Sequence, residues 1–249
     1  MIAIQDIRKT FDGRTVLDGV SFDVRNRETL VVLGKSGCGK SVLLKMIIGL
    51  MWPDSGEIIV DTRDVVTMAY PELRKLRTRF GFLFQGAALF DSLTVGANVA
   101  MGLQLRSGYT DEEIRERVRY ALELVGLGAA EHTRPADLSG GMKKRVGLAR
   151  AIITNPRYML YDEPTTGLDM ETADGINLLI KDLRVSLGVT SIVVTHDIHS
   201  AFVVGDRFVV LDRGRTLMSG TREEVERSTD EDVRKYVSSS LSTSRMGSI

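Results

Sequence analysis

Hydrophobic and polar residues alternate in some stretches of this chain and recur every three to four positions in others. Alternation with β-branched enrichment predicts strands over 2–7, 15–24, 29–33 and 57–60. After the third strand the pattern changes. A glycine-rich run over 34–39 leads into 41–50, where Leu44, Ile47 and Ile48 recur at helical spacing. Over 111–125 the apolar residues Ile114, Val118, Ala121, Leu122 and Val125 form one helical face, and Thr110 with Glu113 makes a capping box. A further helix is predicted from 139 to about 154, ended by Asn155 and Pro156. The run 158–161 is too short for a helix and 189–195 is β-rich, while Ile176, Leu179, Ile180, Leu183 and Leu187 form a helical stripe between them. Strands at 208–211 and 216–219 flank 212–214, capped helices start at Thr221 and Ser228, and the serine-rich end over 238–249 is expected to fray.

Strands alternating with helices imply an α/β fold with a mainly parallel sheet. The helix-rich middle, 86–156, interrupts two strand-forming blocks and reads as an inserted helical subdomain rather than an independent domain. No repeat at a fixed period is evident. The size, 249 residues, suits one large domain or two modest ones, and 43% hydrophobic with 27% charged residues is globular composition. Lys plus Arg (33) equals Asp plus Glu (33), so net charge gives no reason to expect nucleic acid. One cysteine cannot form an intrachain bridge, and three histidines leave little material for a zinc cluster, which makes a reducing compartment the simplest reading. The first ten residues carry Asp6, Arg8 and Lys9, unlike a secretory signal. The nearest approach to a membrane span, 80–105, has Asp91 as its single charge but is interrupted by Gly, Gln, Asn, Ser and Thr, so a soluble chain is expected.

Three stretches carry chemistry. Gly34-Lys35-Ser36-Gly37-Cys38-Gly39-Lys40-Ser41 satisfies the P-loop pattern between a strand and a helix. Backbone amides of such a loop point at phosphate oxygens, and the helix N-terminus adds positive potential. Lys40 would hold β- and γ-phosphates and the Ser41 hydroxyl would bind Mg2+. Asp162 and Glu163 end an apolar strand, where Asp162 suits Mg2+ and Glu163 an attacking water; without a P-loop such a pair is as readily a solvated turn. Leu138-Ser139-Gly140-Gly141 opens a helix with Ser139 at the N-cap and two glycines exposing backbone donors, a second anion cradle where one nucleotide needs only one.

Gly34 to Ser41, Gln85, Leu138 to Gly141, Asp162-Glu163, Asp169 and His196 occur in an order that resembles the ATPase subunits of ABC transporters, and the resemblance covers Phe11 to about Gly220. It implies the ABC ATPase fold: a P-loop NTPase core over 1–85 and 157–220, an N-terminal antiparallel β subdomain, an inserted α-helical subdomain over 86–156 carrying the signature, and C-terminal helices and tail over 221–249. It also implies ATP and Mg2+, and a head-to-tail dimer in which the signature of one copy contacts the γ-phosphate held by the other.

By the same resemblance the P-loop and Val42 contact the nucleotide and Phe11 stacks on adenine. Gln85 touches Mg2+ or water and reports to a membrane partner, Asp169 crosses the dimer interface, and His196 lies near the γ-phosphate. The plain alternative for Phe11 is a core or strand-end aromatic, and a lone His196 would more often be structural; with His199 a metal pair would lack further ligands. Three departures stand out: Met142 where many relatives have glutamine, Arg27-Glu28 where Gly-Glu is common, and Cys38 inside the loop. A helix start is expected to lower the Cys38 pKa and open a redox role, the plain alternative being a small loop residue.

The stretch Phe84-Gln85-Gly86-Ala87-Ala88-Leu89-Phe90-Asp91-Ser92-Leu93-Thr94-Val95, with Asn98-Val99 and Met142, is similar to the ATPases of MCE-associated lipid transporters. That similarity implies phospholipid or related cargo, a separate membrane permease with an MCE-type lipid-binding protein, and a peripheral place on the cytoplasmic face of the cell membrane. Leu89, Phe90, Leu93 and Val95 then either receive a permease helix or pack the inserted subdomain. Lys143, Lys144 and Arg145 read as a solvated basic face rather than a nucleic-acid site. The rivals are a soluble ABC clamp acting in DNA repair or translation, and a P-loop kinase or GTPase.

Overall fold

The computed structural model describes residues 1–104 and 108–237; the fraying expected over 238–249 falls outside them. In chain order the elements are β1 (Ile2–Phe11), β2 (Arg14–Val24), β3 (Thr29–Leu33), α1 (Lys40–Ile47), β4 (Ser55–Val60), β5 (Arg63–Asp64), α2 (Tyr70–Arg77) and β6 (Phe80–Leu83). They continue with α3 (Val95–Gln104), α4 (Asp111–Leu124), α5 (Gly140–Ile152), β7 (Tyr158–Asp162), α6 (Met170–Leu187) and β8 (Thr190–Thr195). After these come α7 (Ile198–Val204), β9 (Arg207–Asp212), β10 (Arg215–Gly220) and α8 (Arg222–Glu226). The chain divides into two compact units, Met1–Arg74 with Ile192–Ile249, and Lys75–Ser191.

In the first unit β2, β1, β4 and β5 form an antiparallel sheet in that order, with Ile2 opposite Val24 on one side and Val60 on the other. Against β2 the register shifts between Ile4 and Ile7, where Asp6 takes a φ of 45°, a bulge that lets a ten-residue strand twist. The predicted strand over 2–7 therefore continues through its bulge to Phe11. A second set of strands places β9 between β10 and β3, antiparallel to the former and parallel to the latter, with Leu30 opposite Arg207 and Leu33 opposite Val210. All five residues of β3 are buried, as a parallel strand covered on both faces requires. Each fully buried Leu or Val there contributes about 1.5–3 kcal/mol. The glycine loop thus starts from one of the most firmly held strands of the unit.

The second unit pairs β6 parallel to β7, with Phe80 opposite Tyr158 and Leu83 opposite Tyr161. Helix α4 carries the predicted capping box: Thr110 Oγ1 accepts from the Glu113 amide at 3.2 Å while Glu113 Oε2 accepts from the Thr110 amide at 2.7 Å. Helix α3 lacks an amphipathic stripe, since its sequence VGANVAMGLQ holds no charge and buries Val95, Gly96, Asn98, Val99, Ala100 and Leu103. That is why the low-charge stretch did not announce a helix. Two further boundaries differ from expectation. Helix α1 begins at Lys40 and ends at Ile47. The last helical segment covers 231–237, with Asp230 Oδ1 accepting from the amides of Asp232 and Val233 at 2.9 and 3.1 Å, so Asp230 rather than Ser228 fixes its start. Among the described residues no helix is long and apolar enough to cross a membrane.

Candidate nucleotide site and signature helix

The glycine loop leaves β3 with its backbone pinned. The Gly34 amide donates to the Thr195 carbonyl at 3.3 Å, which brings the loop beside the end of β8, one residue before His196. Lys35, Ser36 and Gly37 are exposed at the loop's tip, whereas Cys38, Gly39 and Lys40 are buried. Gly39 has a φ of 103°, and a Cβ there would stand 2.6 Å from Leu17 Cδ2, so glycine is demanded by both conformation and space. It is the N-cap residue of α1 and, lacking a side chain, leaves the first-turn amides to other acceptors. Lys40 is only 5% exposed, and its ammonium donates to the carbonyls of Gly34 at 2.6 Å and Lys35 at 3.1 Å. Ser41 and Val42 follow, half-buried, in the first turn. Exposed loop amides, a helix N-terminus and a buried ammonium form a donor set matched to phosphate oxygens.

The Cys38 thiol corrects the expectation of a lowered pKa. Burial pushes it up, and Asp212 adds to that; the nearby Lys40 charge and local backbone hydrogen bonds pull in the opposite direction without overcoming the loss of solvation. The thiol packs against Gly34, where a Cβ would stand 2.5 Å from its Sγ. The Arg27-Glu28 departure also has a local explanation. Arg27 itself adopts φ 63°, the conformation glycine usually supplies, and Glu28 Oε1 accepts from the Arg25 amide at 2.6 Å and from Arg207 at 3.0 Å.

In the same unit His196 is exposed just after β8, and its carbonyl accepts from the Tyr236 hydroxyl at 2.9 Å. Asp197 next to it caps α7, taking the His199 amide at 3.0 Å and the Ser200 hydroxyl at 2.5 Å. Phe11 is 36% exposed at the end of β1, with Lys9 Nζ 5.3 Å from its ring centroid.

In the second unit β7 delivers Asp162 and Glu163 to a buried turn, 5% and 6% exposed. Glu163 has a φ of 48°, a costly conformation for a residue with a Cβ. Thr166 holds it, donating from Oγ1 to Glu163 Oε2 at 3.0 Å and from its amide to the Glu163 carbonyl at 3.4 Å. The Gln85 side chain is exposed on the loop after β6. That loop is held by Arg150, which donates to the carbonyls of Ala87 at 2.5 Å and Ala88 at 2.6 Å. The fully buried Asn98 also holds it, its Oδ1 accepting from the Phe90 amide at 2.8 Å and its Nδ2 donating to the Phe90 carbonyl at 3.1 Å. Phe90 is left 51% exposed, whereas Val95 is fully buried, so the low-charge stretch both packs and presents an aromatic surface.

Ser139 caps α5, its Oγ accepting from the Met142 amide at 3.3 Å. Gly140 is exposed, but Gly141 is buried: a Cβ there would stand 2.4 Å from Thr172 Cγ2. The second signature glycine is therefore required for packing against α6 as well as for any phosphate contact. Asp169 caps α6, its oxygens accepting from the Thr172 amide at 2.9 Å and hydroxyl at 2.7 Å, and these bonds hold its carboxyl below the usual range. The basic run after the signature is not a solvated face. Lys144 is 5% exposed and donates to the carbonyls of Gln85 and, at 3.1 Å, Glu163. Its charge made it look like surface in the sequence, and only its position one turn after the signature distinguished it.

Among the described residues no group of three or more His, Cys, Asp or Glu side chains is placed to hold a metal. A Mg2+ ion held by one or two protein groups together with substrate phosphates needs no such cluster.

Strand, glycine loop and helix define a P-loop nucleoside triphosphatase, and comparison with known proteins narrows the class. The profile of the ABC transporter family matches residues 17–166. The chain is 44% identical over 227 residues to the methionine import ATP-binding protein MetN of Caulobacter vibrioides, covering 90% of this chain and 68% of that protein. It is 39% identical over 236 residues to the probable ribonucleotide transport ATP-binding protein mkl of Mycobacterium leprae, covering 95% and 68%. Among solved structures it is similar to the ATP-binding cassette MJ0796 as a post-hydrolysis dimer bound to ADP and Pi, with a TM-score of 0.82, 33% identity, and 89% and 98% of the two chains covered. The chain spans about two thirds of the length of these two sequence relatives. It belongs to the ABC transporter ATP-binding family. It is an ABC ATPase, using ATP with Mg2+.

Proposed function

We propose that two copies of this ATPase power lipid transport, with phospholipid the cargo, through a separate membrane permease that carries an MCE-type lipid-binding protein. In this reading the subunit sits on the cytoplasmic face of the cell membrane, held there by the permease. Lys40 and the amides of the glycine loop with Val42 hold the phosphates of ATP, and Phe11 stacks on its base. Glu163 and His196 orient the attacking water, while Ser139 and Gly141 of the partner subunit complete the γ-phosphate contacts and Asp169 lies at the dimer interface. Ser41, Asp162 and Gln85 would hold Mg2+, which supplies charge neutralisation on the transferred phosphoryl group. The protein's own part is positioning and charge stabilisation.

The observation that carries the ATPase mechanism is the buried, strained turn that aims the Glu163 carboxylate through Thr166. Transport rather than a soluble clamp is favoured by relatives named as import and transport ATP-binding proteins. The lipid cargo is supported by the likeness of the 84–95 stretch, Asn98-Val99 and Met142 to lipid-transporter ATPases, and by a loop that presents Phe90. The test is purification of the intact membrane assembly, mass spectrometry of its bound lipids, and ATP turnover with phospholipid, methionine or ribonucleotide added. Co-purified phospholipid with phospholipid-stimulated turnover is expected. Stimulation by methionine or by a ribonucleotide alone would overturn the lipid assignment. Glu163→Gln should keep ATP binding, arrest hydrolysis and accumulate dimers; turnover near wild type would remove Glu163 from its role.

A further inference from the structure

We propose that Lys144 is a positioning residue for ATP hydrolysis, its buried ammonium tying the loop of Gln85 and the turn of Glu163 to the signature helix. This rests on the site roles given above and adds a residue to them. Lys144 lies on α5 and donates to the carbonyls of both Gln85 and Glu163, residues from two separate loops. Burying an ammonium to 5% exposure is costly unless its protons are taken up, and the two carbonyls accept two of its three.

The placement has a mechanical consequence. Glu163 is held at φ 48°, a costly conformation whose carbonyl is shared between Lys144 and the Thr166 amide, so losing the Lys144 bond weakens the restraint on the turn that aims the carboxylate. Ser139 stands at the N-terminus of α5 and Lys144 a turn further along, so one rigid helix bears both the signature and the strap. A shift of the signature end on meeting a partner's nucleotide is thereby carried to Gln85 and Glu163 of the same chain.

The experiment compares Lys144→Met and Lys144→Arg with wild type in the purified transporter assembly, with ATP as the probe. Met keeps the length and apolar stem and removes the donors; Arg restores charge and donors. We expect Lys144→Met to lower kcat roughly 10–100-fold with KM for ATP within about twofold, the mark of lost alignment rather than lost binding. Lys144→Arg should recover most of that loss. A kcat within about twofold of wild type in the Met variant, or a loss that Arg fails to recover, overturns the proposal. If Lys144→Met does not fold, Lys144→Gln, which keeps a neutral donor on a shorter stem, should lose less, about two- to tenfold in kcat with KM within about twofold, and a kcat equal to wild type there overturns the proposal. Glu163→Gln separates the two levels of argument. Undiminished turnover there removes the site reading and the strap with it, whereas arrest there beside wild-type turnover in the Lys144 variants removes the strap alone.

Discussion

The phenolic hydroxyl of Tyr236 donates to the main-chain carbonyl of His196 at 2.9 Å, so the helical segment 231–237 is fastened to the residue that follows β8. Val233 and Val237 of the segment are buried and anchor it, and the hydroxyl adds a tether. Tyr236→Phe removes that bond and keeps the ring. One such hydrogen bond is worth about 0.5–1.5 kcal/mol, so the urea midpoint should fall only slightly. If the tether sets His196 for its proposed role, kcat should drop about two- to tenfold with KM unchanged, the same free energy appearing in the barrier. Wild-type kcat in steady-state ATP turnover would show that the segment is fastened to His196 without influencing it.

Two glycines of the phosphate loop should respond differently to the same substitution. Gly39, at φ 103°, has Leu17 Cδ2 at 2.6 Å and the Val16 carbonyl at 3.1 Å from where a Cβ would fall. Gly37, at φ 80°, has nothing within 4 Å. Gly37→Ala therefore meets backbone strain alone, about 1–2 kcal/mol. Gly39→Ala adds an overpacking penalty of about 1–3 kcal/mol against the β2 side chains. Urea unfolding of the two variants without nucleotide should rank Gly39→Ala as clearly the less stable. Equal midpoints would contradict the clash.

Legibility followed the physics of each segment. The β3–loop–α1 junction announced itself because a fully buried parallel strand and a glycine-demanding turn leave few alternative sequences. Capping chemistry placed Thr110, Ser139 and Thr221 at the starts of α4, α5 and α8, since an N-cap bond is local and needs no tertiary knowledge. Helix α3 stayed hidden because its turns are nearly uncharged, and α2, β6 and α7 because they are short. Lys144 was misread, and the packing role of Gly141 went unseen, for a different reason. Their burial is decided by residues far along the chain, Gln85 and Glu163 for one and Thr172 for the other, and no local pattern encodes that.

Cys38 provides a pH-dependent test of whether burial or the helix start governs the loop. With its pKa raised above the ordinary 9.0, the thiol holds its proton to higher pH in the folded protein than in the unfolded chain. Below 9.0 both states are protonated and the contribution to stability is present in full. As pH climbs past the unfolded value, the unfolded chain loses its proton first, and this contribution declines until the folded thiol also ionises. Folding stability measured by urea from pH 8 to 10.5 should therefore fall more steeply for wild type than for Cys38→Ala, which lacks the titrating group. Iodoacetamide should label Cys38 more slowly at pH 7.5 than it labels the urea-unfolded chain, because thiolate is the reactive form and the native thiol is also shielded. Labelling faster than the unfolded chain, together with parallel stability profiles for the two proteins, would mean that the helix N-terminus and Lys40 outweigh desolvation after all.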